Sequence, residues 1–320
     1  MSKHVLIGMS ASLGIKAVLD ERNDVEYDEF TEFSEDTLLL QIGNYDAVIL
    51  GDTPLTARAI STASRLKIVS RFGVGYDSVD VAALTQAGIP FAIAGTANSV
   101  TVAEHALMFL LALAKRTVHF DREVRQGTWA RWENPAIDIA GRKVLILGFG
   151  RIGRQLVKRC LAMDMKVLVH DPYVIEDAIT TAGALHVDDW REALPDIDFL
   201  SVNCPKTLET NIMISSTELS SMRKTAYVIN TARGGIVDEV ALYEALKTGE
   251  IAGAGIDTFS VEPTPTDHPL FTLSNILVSP HSAGVSGESI YRMGYWAAKN
   301  VVDCFDGKLN PENVINLKPS

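Results

Sequence analysis

The sequence predicts an α/β protein with parallel sheets and helices on their faces. Three observations carry this. The chain has 320 residues, enough for roughly two domains at about 150 residues each. Short apolar runs alternate with helical stretches, the pattern of strands buried on both faces. A glycine-rich turn also stands between one such run, Lys143-Val144-Leu145-Ile146-Leu147, and a helical pattern.

Composition narrows the class. Hydrophobic residues make up 47% and charged residues 22%, which excludes a disordered or collagen-like chain. A net charge of −11 argues against nonspecific nucleic-acid binding and against docking on anionic membranes. The longest apolar run, 106–114, is bracketed by His105 and Lys115 and falls short of the ~18 residues of a membrane span. The N-terminus enters Val5-Leu6-Ile7 almost at once, without a signal-peptide profile. Cys160, Cys204 and Cys304 form neither a metal pattern nor a disulfide framework, so a reduced, cytoplasmic setting is expected.

In chain order, strands are expected over 4–8, 46–50, 67–70 and 90–94. Thr53-Pro54 is read as a helix start, a cap followed by proline in the first turn. Asp77 to Asp80 is read as another, with its helix ending at Gly88. The glycines between 8 and 14 are read as a structural turn, not a second phosphate loop. A long helix is expected over 100–118 and an ordered loop over 125–134. Strands follow at 143–147, 166–170, 198–202, 226–230, 253–257 and 275–279. A last long helix, 287–305, would return the chain to the first domain. The expected domains are therefore 1–100 plus 288–320, and 101–287. Leu107, Leu110, Leu111 and Ala114 give the 100–118 helix more than one apolar stripe. It must be covered on several sides, and a homodimer partner is one such cover.

Gly148-Phe149-Gly150-Arg151-Ile152-Gly153 has the spacing of a dinucleotide-binding turn. Gly148 permits the tight turn, Gly150 lets a pyrophosphate approach the backbone, and Gly153 lets helix and strand pack closely. The helix N-terminus meets the phosphates with free N–H groups and a positive dipole end. The next strand ends in Asp171, eighteen residues beyond Gly153. A carboxylate there accepts both ribose hydroxyls of NAD and repels the 2′-phosphate of NADP. The expected cofactor is therefore NAD.

Arg233, Glu262 and His281 stand just beyond the ends of expected strands. In open parallel sheets ligands bind at the carboxyl ends of strands, so all three face the same crevice. The alternatives are a surface ion pair for Arg233, a solvated loop charge for Glu262 and a helix cap for His281. No metal-ligand cluster is seen.

These residues sit in segments that resemble the D-isomer-specific 2-hydroxyacid dehydrogenases, a family that includes phosphoglycerate dehydrogenases and glyoxylate/hydroxypyruvate reductases. Asn230-Thr231-Ala232-Arg233-Gly234-Gly235-Ile236-Val237-Asp238 resembles the arginine signature. Ala254 to Phe259 followed by Glu262-Pro263 resembles the glutamate signature, and Pro280-His281-Ser282-Ala283-Gly284 the histidine signature. Upstream, Gly73-Val74-Gly75-Tyr76-Asp77-Ser78-Val79-Asp80 resembles the substrate loop, and Asn98 to His105 the start of the interdomain helix.

The resemblance implies two Rossmann-like, doubly wound domains with the active site in the cleft between them. It implies that His281 donates a proton to the substrate carbonyl, with Glu262 as its carboxylate partner. Arg233 would bind the substrate carboxylate and polarise the carbonyl, and the N–H groups of Val74 and Gly75 would hold the other side of that carboxylate. Cys204, Thr231, Ala232, Asp257, Ser282, Ala283 and Gly284 would join Arg151 and Ile152 as cofactor contacts. The implied activity is reversible, NAD-dependent hydride transfer between a small D-2-hydroxy acid and its 2-oxo acid. It also points to a homodimer.

The chemistry is consistent on its own terms. Hydride arrival builds negative charge on the carbonyl oxygen, and a protonated imidazole beside a carboxylate can neutralise it. A guanidinium forks onto a carboxylate in two bonds and fixes the substrate plane.

Two positions depart from the family pattern: Asn203 where many relatives carry histidine, and Thr101 for a common serine. The end of the chain soon after the return helix leads us to expect the type without a C-terminal regulatory extension. Formate dehydrogenases share the fold but resemble a pattern with glutamine where Glu262 stands. Phosphite dehydrogenases would place lysine at Val74. The fold also hosts non-enzymatic, NAD-sensing corepressors, although nothing in the sequence suggests peptide docking. The side chain of the substrate is left open. Arg71, Phe72, Val74 and Trp129 or Trp132 are candidate pocket walls, with Arg71 either a substrate-phosphate ligand or a structural ion-pair partner.

Overall fold

The computed structural model describes residues 2–31, 34–129, 131–133 and 135–317. It divides into two compact units, Met1–Asn98 with Val285–Ser320, and Ser99–Gly284.

The first unit begins with β1 (Lys3–Ile7), α1 (Leu13–Leu19), β2 (Val25–Glu29) and α2 (Glu35–Gln41). It continues with β3 (Ala47–Leu50), α3 (Ala57–Ser61), β4 (Ile68–Arg71), α4 (Val81–Gln86) and β5 (Phe91–Ala92). The five strands form a parallel sheet in the order β2-β1-β3-β4-β5. Alternation along each strand sorts the core into two layers. Leu6, Val48, Leu50 and Val69 pack on one face, and Val5, Ile7, Ala47, Ile49 and Ile68 on the other, as the period of two requires.

Three readings of this half are corrected. Thr53-Pro54 does not open a helix: α3 starts at Ala57 behind Thr56. Leu55 instead bridges to Val79, and that pairing holds the segment extended. The Asp80 cap is found, its side chain accepting from Ala83 N at 2.9 Å. Val25–Glu29 was not anticipated as a strand. It is an edge strand whose Val25 alone is buried, so its charged residues hide the apolar signal. Gly14 lies within α1 rather than in a turn.

The second unit holds α5 (Ser99–Ala114), α6 (Thr117–Arg125), β6 (Lys143–Leu147), α7 (Arg151–Ala162) and β7 (Lys166–His170). It goes on through α8 (Glu176–Thr181), β8 (Leu185–His186), α9 (Trp190–Ala193), β9 (Phe199–Val202) and α10 (Ser216–Ser221). It ends with β10 (Tyr227–Asn230), α11 (Glu239–Thr248), β11 (Gly253–Ile256) and β12 (Ile276–Val278). The sheet is parallel, ordered β12-β11-β10-β9-β6-β7-β8. Leu145, Leu147, Leu200 and Val228 face one core layer, and Val144, Ile146, Phe199 and Ile229 the other. The direction of winding reverses between β6 and β9, which opens a crevice at their carboxyl ends.

The expected helix over 100–118 is interrupted. Arg116 takes a left-handed backbone conformation, φ 53°, between α5 and α6. No glycine or proline announces this break. The carbonyl of Ala114 instead accepts from Ile137 N at 3.0 Å, a tertiary contact that takes the place of the next helical bond. α6 extends into the segment expected as a loop and buries none of its residues; of that segment, Ala130 and Asn134 lie outside the described residues. β8 was also missed, being two residues long.

The chain then returns to the first unit as α12 (Gly287–Phe305), capped by Ser286, whose side chain accepts from Ser289 N at 3.1 Å. Ala297, Ala298 and Val301 of α12 lie in the same core layer as Ile15 and Leu19 of α1. A side chain at Gly14 would meet the Tyr291 carbonyl at 2.0 Å, so glycine is what lets these two helices approach.

Candidate active site

The glycine turn sits at the carboxyl end of β6, beside the reversal of the sheet. Gly148 has φ 101°, and a Cβ there would lie 2.8 Å from the Asn203 carbonyl. A Cβ on Gly153 would lie 2.1 Å from the Gly148 carbonyl. Both positions are closed to any side chain by backbone. At Gly150 nothing lies within 4 Å of the same added atom. Two glycines thus build the turn, and the third keeps its outer side open, where a pyrophosphate needs to come close. Arg151 and Ile152 open α7 directly behind it.

Asp171 lies just beyond β7. One carboxylate oxygen accepts from Phe149 N at 2.7 Å and the other from Tyr173 N at 2.9 Å. It therefore braces the glycine turn, and a carboxylate with about four acceptor sites still has capacity for ribose hydroxyls. Thr231 Oγ1 and Asn203 Oδ1 are buried without a hydrogen-bond partner among the described residues. They follow β10 and β9, at the carboxyl ends of the sheet. Unsatisfied buried oxygens of this kind fit a crevice completed by a polar ligand. Cys204 follows Asn203, and burial pushes its thiol up to about 11, which keeps it an uncharged neighbour.

Three loops at the same edge carry the ionisable residues. After β10, Asn230 shapes the first: its side chain accepts from Ala232 N at 3.0 Å and donates to the Arg233 carbonyl at 2.9 Å. The Arg233 guanidinium donates to the Ala232 carbonyl at 2.7 Å. After β11, Glu262 reaches back to accept from Phe259 N at 2.8 Å. After β12, His281 Nδ1 lies 2.7 Å from the second Glu262 oxygen. With Nδ1–H donating to the carboxylate, Nε2 on the other side of the ring is the atom that gives or takes a proton.

Asp257 holds the histidine loop in place. It is fully buried. Its carboxylate accepts from Ser282 N at 2.8 Å, from Ala283 N at 2.9 Å and from the Ser279 hydroxyl, and its carbonyl accepts from His281 N at 2.8 Å. His281 itself takes φ 51°, sparsely populated for a non-glycine residue, and this set of bonds holds it there. The Asp257 side chain thus acts on the crevice through the Ser282-Ala283-Gly284 turn.

Residues 107–283 match the family model for the D-isomer specific 2-hydroxyacid dehydrogenase, NAD binding domain. The chain belongs to this family. It is 37% identical over 288 residues to a glyoxylate reductase of Korarchaeum cryptofilum, covering 88% of this chain and 86% of that protein. It is 36% identical over 297 residues to a D-3-phosphoglycerate dehydrogenase of Archaeoglobus fulgidus, covering 92% of this chain but 56% of the relative. The chain thus spans little more than half the length of that dehydrogenase. Among solved structures, a glyoxylate reductase from Paecilomyes thermophila superposes with a TM-score of 0.87 at 26% identity, covering 98% of each chain. The family's cofactor is NAD, and the second unit is its binding domain.

His105 and Ser279 stand beside Asp257 and were not singled out from the sequence as site residues. His105 Nε2 lies 2.9 Å from Ser279 Oγ, which in turn donates to Asp257. Burial lowers the His105 pKa, although Asp257 pulls the other way. The available signal was a histidine inside the apolar α5, a position that needs a polar partner.

In the first unit, Val74 and Gly75 lie in the turn after β4. Arg71 is largely buried and committed. It donates to the Gly75 carbonyl at 2.7 Å, to Asp52 at 2.7 Å and to the Leu50 carbonyl at 3.4 Å. Of its two sequence readings, the structural ion pair is the one observed. Trp129 and Trp132 are 76% and 82% exposed. Among the described residues no group of three or more His, Cys, Asp or Glu side chains could hold a metal ion. No helix among them is long and apolar enough to cross a membrane.

Proposed function

We propose that the chain is an NAD(H)-dependent oxidoreductase interconverting a D-2-hydroxy acid and its 2-oxo acid by hydride transfer. The observation that carries this is the 2.7 Å pair of His281 and Glu262 on the sheet edge that also bears the glycine turn. Bound NADH supplies the hydride for reduction. Nε2 of His281 gives a proton to the carbonyl oxygen as charge builds there, and takes it back in oxidation. Glu262 orients the ring by holding Nδ1 and so leaves Nε2 toward the substrate. Arg233 binds the substrate carboxylate in two bonds, and the amides of Val74 and Gly75 are assigned to the same group.

Mixing purified protein with NADH and a panel of 2-oxo acids tests this, followed at 340 nm. His281→Ala should lower kcat by about 10²–10⁴ while NADH binding is kept. Absence of turnover with every 2-oxo acid would overturn the reading.

Asp171 supports a preference for NAD over NADP, measured as the ratio of kcat/KM for the two cofactors. A homodimer in the cytoplasm is the proposed working form. Val100 and Met108 on α5 and Val118 and Val124 on α6 are exposed apolar side chains that a second copy would cover. A monomeric mass by light scattering at micromolar concentration would refute the dimer.

A further inference from the structure

The substrate domain of this family must choose among 2-oxo acids that differ only beyond the shared carboxylate and carbonyl. In this chain the carboxyl edge of the five-stranded sheet carries a depression of about 380 Å³, lined by Gly8, Ser10, Thr31, Asp52, Thr53 and Phe72 among others. It lies at the ends of β1 and β3, where that sheet reverses its winding, and reaches Phe72, two residues before Val74. Asp52 is its one ionisable lining group among the described residues.

The cation that stands closest in sequence is already used. The Arg71 guanidinium lies between Asp52 and the Gly75 carbonyl, 2.7 Å from each. Its side chain is 10% exposed, whereas that of Asp52 is fully exposed. Asp52 therefore engages the guanidinium in an ion pair and leaves its own carboxylate open to solvent. It does so one guanidinium width from the Gly75 carbonyl, in the loop assigned to the substrate carboxylate.

We infer that the Asp52–Arg71 pair is a specificity device that selects 2-oxo acids with a single negative charge and rejects those with a second anionic group, phosphate or carboxylate. The inference rests on the proposed 2-oxo acid reductase activity. A second anionic group entering this depression meets the exposed Asp52 carboxylate, and among the described residues no arginine or lysine lines it, while Arg71 is held by Asp52 and the Gly75 carbonyl. Rejection of a substrate through an unmatched charge is an effective route to selectivity. Because Asp52 is exposed, solvent screens it, and the expected discrimination is moderate, about tenfold or more in kcat/KM. The chain is thereby set apart from the D-3-phosphoglycerate dehydrogenases to which it is similar, whose named substrate carries a phosphate.

The test compares kcat/KM for hydroxypyruvate, glyoxylate, 3-phosphohydroxypyruvate and oxaloacetate with NADH. Hydroxypyruvate or glyoxylate should exceed both dianionic acids. The ratio of hydroxypyruvate to 3-phosphohydroxypyruvate should narrow as salt is raised, because an exposed charge causes it. Asp52→Asn, which keeps an oxygen for Arg71 but removes the charge, should narrow the ratio several-fold, and Asp52→Glu should restore it. A merely structural role for Asp52 would lower all four substrates alike and leave the ratio unmoved. Equal or better turnover of 3-phosphohydroxypyruvate by the unaltered protein overturns the inference while leaving the reductase reading intact. So does a ratio indifferent to both salt and Asp52→Asn. If the asparagine variant does not fold, the salt dependence of the unaltered protein decides. No turnover of any of the four overturns both.

Discussion

Asp257→Asn separates positioning from chemistry at the histidine loop. The substitution keeps size and shape but replaces one acceptor oxygen by an NH₂ donor. If the remaining oxygen stays toward Ser282 N, the new NH₂ faces Ala283 N–H, now 2.9 Å from an acceptor. If the amide flips, it faces Ser282 N–H, now at 2.8 Å. Either way one backbone donor loses its partner, and in the first arrangement that donor is buried. An unsatisfied buried donor costs about 1–3 kcal/mol, and the surviving bonds lose their charge assistance. The expected loss is about 2–4 kcal/mol, eased by the removal of a buried charge. With a urea slope of about 2 kcal/mol/M, the unfolding midpoint of the second unit should fall by about 1–2 M. The loop would also relax from the left-handed conformation at His281, and a displacement near 1 Å can cost about 10²-fold in rate. The assay is urea unfolding beside kcat and NADH affinity. If midpoint and kcat both stay within error of the unaltered protein, the loop does not depend on Asp257 and the positioning argument is wrong.

The glycine turn offers a paired comparison. Gly153→Ala places a Cβ 2.1 Å from a carbonyl and should destabilise the fold itself, seen as a lower Tm without ligand. Gly150→Ala meets nothing within 4 Å, so its Tm should stay put while NADH affinity falls in a fluorescence titration; the opposite distribution would refute the roles assigned. Asp171→Ser should shift the NADP-to-NAD ratio of kcat/KM upward by tenfold or more, on the order of 1.4 kcal/mol, and an unchanged ratio would remove Asp171 from cofactor selection. His105, whose pKa burial lowers from 6.5, binds a proton more readily in the unfolded chain. Stability should therefore be complete above about pH 6.5 and decline as pH falls below it. His105→Gln should flatten that decline between pH 5 and 6.5, and an identical slope in the variant would clear His105 of responsibility.

Much of the second unit was legible in the chain because its strands are buried on both faces and read as unbroken apolar runs. The bounds of β6 and β7 follow from Lys143-Val144-Leu145-Ile146-Leu147 and Lys166-Val167-Leu168-Val169-His170 directly. The glycine spacing, Asp171 and the three ionisable residues after strand ends were local signals, and family signatures gave them an order. The first unit was harder. Its edge strand β2 buries only Val25, and its short helices are set by caps and isolated bridges that no periodicity announces.

What only the tertiary structure decided are the contacts between loops distant in sequence. The sequence placed Glu262 and His281 after neighbouring strands. Their 2.7 Å approach depends on β11 and β12 being adjacent in the sheet and on the Asp257 bonds that turn the backbone at His281. The break at Arg116 depends on Ile137 capturing a carbonyl of α5. The state of Arg71 depends on Asp52, nineteen residues away, lying on the adjacent strand end. Periodicity and spacing are written along the chain, and they determine strands, helices and motif order. Hydrogen bonds that close a loop or neutralise a charge join residues that only the folded sheet makes neighbours, and those bonds decide which side chains are committed and which face the crevice.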